Sequence, residues 1–96
     1  MLIINSTLYE RLADLLVDAI DGKEFYSDAI YFEDDQAQYC FSATLMIYYR
    51  EHRFPERNEM QVENIVPVWW EFHSITSEGE LLNDFDFALL NLVICN

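Results

Sequence analysis

Glu71 and His73 stand two residues apart in the run IVPVWWEFHSIT, and on an extended strand that spacing turns both side chains to one face. A carboxylate beside an imidazole can orient the ring and favour its charged form. Trp69 falls on the same face and flanks the pair. Cys40 or Tyr48, on a neighbouring strand, could complete a cysteine–histidine arrangement of the kind used in nucleophilic catalysis, with His73 as general acid or base. Nothing in the linear sequence brings the thiol to the ring, so an ordinary histidine on an open or partner-facing sheet surface is the simpler reading.

Other chemistry-bearing residues are sparse. Arg50, His52, Arg53 and Arg57 form the only local concentration of positive charge on the chain, and Glu51, Glu56 and Glu59 are close enough in sequence to neutralise it in weak surface pairs. Glu33, Asp34 and Asp35 form an acidic turn without the alternating oxygen ligands and central glycine of a calcium loop. Two histidines and two cysteines, Cys40 and Cys95, lack the close spacing of a zinc or redox site, so no metal or cofactor is expected. Phosphate-cradling and hydrolase signatures are absent.

The elements that must position these residues follow from periodicity. Leu8, Leu12, Leu15, Leu16, Ala19 and Ile20 recur at helical spacing, predicting an amphipathic helix from Thr7 to Asp21 with Thr7 and Glu10 as a capping box and Gly22 just past its end. Phe25 to Phe32 and Gln38 to Tyr49 read as a hairpin, the odd-numbered residues Tyr39 to Tyr49 facing the core. REHRFPERNEMQVE, residues 50 to 63, shows no apolar period and reads as a long loop. Asn64 to Thr76 reads as a third strand. Val66, Val68, Trp70 and Phe72 would turn inward and Ile65, Pro67, Trp69, Glu71 and His73 outward, with a bulge or edge marked by Pro67. A turn at Gly79 leads to a last helix capped by Asp84 or Asp86 and using Phe85, Ala88, Leu89, Leu92 and Val93. Being apolar nearly all round, it should be buried on two sides.

The order α-β-β-β-α predicts one α+β domain. An antiparallel sheet of three strands, or four should Asp84 to Phe87 be extended, would carry both helices on one face. An apolar fraction of 52% suffices for a core. Eighteen acidic residues against five basic ones give a net charge of −13, which disfavours direct contact with nucleic acid and favours a basic protein partner. No stretch is suited to crossing a membrane, and the start lacks a basic leader, so the cytoplasm is the expected compartment.

Three functional readings follow. The leading one is a protein interaction module, with the homodimer as one form of it, built on an outward sheet face of Met46, Tyr48, Trp69, Glu71 and His73. A second is a DNA mimic that occupies the groove of a nucleic-acid-binding protein, although the acid is spread along the whole chain. A third is a small enzyme using Glu71, His73 and Cys40, which requires those groups to converge on a concavity.

Overall fold

The computed structural model describes residues 1–53 and 58–95. The order is α1 (Ser6–Ile20), β1 (Phe25–Glu33), β2 (Gln38–Arg53), β3 (Asn58–Thr76), β4 (Gly79–Leu81) and α2 (Phe87–Cys95), with the four strands forming one antiparallel sheet in sequential order. Both helices lie on a single face of it. The α+β expectation holds. The fourth strand, however, is Gly79–Leu81, and not Asp84 to Phe87.

α1 begins one residue before its expected start because Asn5, and not Thr7, caps it: Asn5 Oδ1 accepts the Leu8 N–H at 2.9 Å. The chain leaves the helix through two left-handed residues, Asp21 at φ 48° and Gly22 at φ 75°, the second at no steric cost. The buried stripe is Leu8, Tyr9, Leu12, Ala13, Leu16 and Ile20. Leu15 and Ala19 lie outside it, since the two-residue-wide stripe is completed on the Tyr9 and Ala13 side, where α2 packs.

In β2 the odd residues Tyr39, Phe41, Ala43, Leu45 and Ile47 are buried and the even ones are not, as alternation requires. Residues 50–53 and 58–63 continue the hairpin as paired strand, correcting the long loop. β1 ends its pairing at Met46, so this part of the hairpin is two strands wide, and of its residues Val62 still packs against the core.

β3 departs from simple alternation twice. Thr44 pairs with Trp69 but Leu45 pairs with Pro67, leaving Val68 outside the ladder; Tyr48 pairs with Asn64 but Tyr49 with Val62, leaving Glu63 outside. Each bulge reverses which parity points inward. Trp70, Phe72 and Ser74 therefore face the helices, while on the far side of Val68 it is Ile65 that is buried and Val66 that is open. The expectations that Val66 and Val68 point inward and Ile65 outward are both overturned for this reason. The bulge expected from Pro67 is present beside it.

α2 starts where Asp86 Oδ1 accepts the Ala88 N–H at 2.9 Å. Phe87 and Leu90 are its buried residues, with Ile94 and Cys95 partly covered. Ala88, Leu89, Leu92 and Val93 are exposed, so the helix is covered along one side only and the face expected to be buried is the open one. Phe85, just before the helix, fills the core against Phe72, their rings stacked at 4.2 Å. Residues 82–86 also bind the first strand-like residues of the chain: Leu2 N–H donates to the Leu82 carbonyl, and Ile4 N–H to Asp84 Oδ1.

Candidate functional site

The outward face of the sheet is built by the even residues of β2 and by their partners. From one end to the other along β2 these are Cys40, Ser42, Thr44, Met46, Tyr48 and Arg50. The partners on β3 are, in the same order, His73, Glu71, Trp69, Val66, Asn64 and Gln61. On β1, Tyr31 stands opposite Cys40, Ser27 opposite Thr44 and Phe25 opposite Met46. No described element crosses this face. Trp69, Glu71, His73, Tyr48 and Met46 therefore all lie on it. The ladder spreads them: the His73 level at Cys40 and the Tyr48 level are eight residue steps apart along β2, about 26 Å at ~3.3 Å per residue.

Three zones result. At one end His73 lies between two carboxylates, Nδ1 bonded to Glu80 Oε1 of β4 and Nε2 to Glu71 Oε2 at 3.1 Å. The hydrogen bond that the ring donates to Glu80, then the one to Glu71, favour the imidazolium and raise the His73 pKa above its ordinary value. The group is open to solvent, with 41% of the imidazole side chain accessible, so water screens the interaction. As an imidazolium the ring donates both N–H groups to carboxylates, and the geometry is that of a charged clamp between β3 and β4.

Cys40, directly opposite His73 in the ladder, has Ser42 Oγ at 3.6 Å. The hollow there is lined by Tyr31, Phe32, Glu33, Gln38, Tyr39, Cys40 and Ile75. Of the three groups that an enzyme built on Glu71, His73 and Cys40 would bring together, it holds Cys40 and neither Glu71 nor His73. Among the described residues no group of three or more histidines, cysteines or carboxylates is placed to hold a metal ion. No described helix is long and apolar enough to cross a membrane.

The middle zone is apolar. Phe25, Met46 and Val66 form one row across three strands, with Trp69 and Tyr48 on either side of it. Their exposures, 57% for Phe25 and 47% for Trp69, are those of rings lying on a surface. Trp70, next in sequence, has its ring against Phe85 at 5.4 Å and Phe87 at 6.3 Å on the other side of the sheet.

At the far end stands Arg50, which donates to Glu63 Oε1 at 2.8 Å. The loop cluster expected around Arg50 falls partly outside the described residues: Arg57 and the side chains of His52 and Arg53 belong to that part, as do Glu56 and Glu59.

Sequence reasoning missed Phe25 and Glu80. Phe25 opens β1, and its place in the apolar row becomes visible only through the register with Met46. Glu80 reaches His73 because β4 folds back beside β3, and the tight Ser77–Glu78 turn before Gly79 was the only sequence signal for it. The acidic hairpin turn is structural: Asp34 Oδ1 accepts N–H groups of Gln36 at 2.8 Å and Ala37 at 3.1 Å, and Tyr39 donates its hydroxyl to the same carboxylate at 3.0 Å. Burial alone would raise the Asp34 pKa, but these donors and Arg11 outweigh it and hold the carboxyl below its usual range.

Compared with models of protein families, with curated proteins and with solved structures, the chain matches none.

Proposed function

We propose that the chain is a protein–protein interaction module that holds its partner on the outward face of the sheet. The observation that carries this reading is the uncovered row Phe25, Met46 and Val66 with Trp69 and Tyr48 beside it. Rings and thioethers in a contiguous open patch contribute hydrophobic energy only once water is expelled from them, and tryptophan, tyrosine and methionine are enriched where partners meet. Glu71 and His73 at the border supply the polar rim such an interface needs. A photo-crosslinking residue placed at position 69 tests the reading against the same residue at position 18 on the outside of α1. Protein adducts formed at 69 and not at 18 support it; equal labelling, or none at either, removes it.

A second reading rests on α1. Glu10, Asp14 and Asp18 are exposed at spacings of four residues, a row of carboxylates roughly 6 Å apart at 1.5 Å per residue. Such a row could stand in for phosphates before a basic groove. Capture of a nucleic-acid-binding protein that weakens steeply with salt, and fails with Asp14→Asn/Asp18→Asn, is the result this reading requires.

A further inference from the structure

We infer that the partner on the outward face is a second copy of this chain, packed sheet to sheet with the strands of the two copies running in opposite directions about a two-fold axis near Met46. This deepens the interaction-module reading and rests on it.

The argument is one of self-complementarity. A two-fold interface pairs a surface with itself, so whatever lies a given distance to one side of the axis must suit what lies the same distance to the other side. Measured along β2 from Met46, two residues toward one end is the Thr44 level, which carries Trp69, and two residues toward the other is Tyr48. Four residues one way is the Ser42 level, which carries Glu71, and four the other way is Arg50. An antiparallel copy therefore sets Trp69 against Tyr48 and Glu71 against Arg50, each twice, with the Phe25, Met46 and Val66 rows meeting at the centre. Opposite charge falls on opposite charge and ring on ring. A parallel arrangement would set Glu71 against Glu71 and Arg50 against Arg50, and like charges across an interface are costly.

The exposed area is of the right order. Phe25, Tyr31, Tyr48 and Trp69 are between 47% and 78% exposed and leave on the order of 450 Å² of ring surface open, at ~200 Å² per side chain. Met46, Val66 and Ile75, each 43% exposed, bring the face toward the roughly 800 Å² per partner of a stable interface. The outside of α2, with Leu89, Leu92 and Val93, is also open and apolar, but those three positions carry no charge that would pair with a second copy.

Sedimentation of the purified chain over a concentration series tests this. Wild type should sediment at twice the chain mass, Arg50→Glu and Glu71→Arg should each raise the dissociation constant about tenfold or more, and the double variant R50E/E71R should return it to within a few-fold of wild type. Leu92→Lys, on α2, should leave it unchanged. The rescue by charge exchange separates an interface pair from a folding defect, which a second substitution would not repair. A chain that stays monomeric at all concentrations, single and double variants that dissociate alike, or a dimer broken by Leu92→Lys would each overturn the proposal. A monomeric chain that still crosslinks another protein from position 69 would remove the second copy while leaving the interaction module standing.

Discussion

Trp69 and Trp70 are consecutive in sequence and lie on opposite faces of β3: the indole of Trp70 meets Phe85 and Phe87, and that of Trp69 shares the outward face with Thr44 and Met46. Their exposures, 47% and 37%, differ little. Their neighbours differ entirely, and the neighbours decide what truncation removes. Trp70→Ala should cost ~2–3 kcal/mol of stability in urea unfolding, below the full core value because the ring is partly open. Trp69→Ala should stay within about 0.5 kcal/mol, and should act on association instead. Equal destabilisation by the two would contradict the assignment of faces.

The clamp around His73 makes a pH prediction. A pKa raised in the fold means that the clamp stabilises fully below the unfolded histidine value of about 6.5 and that this contribution fades as pH rises through the folded value. Solvent screening keeps the effect small, within ~1 kcal/mol. An NMR titration should place His73 above the ordinary histidine value of about 6.5. Glu80→Gln should move it down more than Glu71→Gln, because the Glu80 hydrogen bond is the larger cause.

At the other extreme of pH, Tyr39 reports on the hairpin turn. Burial, and then its hydrogen bond to Asp34, push the hydroxyl up to about 12. The unfolded chain would lose this proton near 10, so the neutral tyrosine stabilises the fold below that pH and the contribution is lost between about 10 and 12. Asp34→Ala should lower the Tyr39 value in a spectrophotometric titration. It should also cost ~1–3 kcal/mol, since the N–H groups of Gln36 and Ala37 and the phenol lose their acceptor together.

Deleting Val68 should be far worse than replacing it. The side chain is 63% exposed, so Val68→Thr should stay within ~0.5 kcal/mol. Removing the residue erases the bulge and forces either Ile65 or the Trp70, Phe72 and Ser74 row to the wrong face. Loss of cooperative thermal unfolding in the deletion, with an ordinary transition in Val68→Thr, is the expected contrast by circular dichroism.

Much of the layout was legible because burial here has clean periods. Leu8, Leu12, Leu16 and Ile20 mark α1, and the odd residues from Tyr39 to Ile47 mark the core face of β2. What escaped was whatever depends on two distant segments at once. Val66 and Ile65 exchange faces because of a bulge that Pro67 announces but does not locate. The pairing of residues 50–53 with 58–63 shows only in the register of the two strands, and their polarity was mistaken for irregularity. Phe25 and Glu80 join the face through register alone. On α2, apolar residues on every side hid which side is covered, and only the packing of Phe87 and Leu90 resolves it.

The bonds that tie Leu2 and Ile4 to residues 82–84 have a bearing on how the molecule is made. Ile4 and Asp84 are 80 positions apart, so the contact that seats residues 2–4 cannot exist until residue 84 has been synthesised. Joining such remote segments is slow relative to closing a helix or hairpin. During translation the long hairpin can zip up while Phe72 and Phe41 still wait for Phe85, so those rings stay exposed until residue 85 is made and docks.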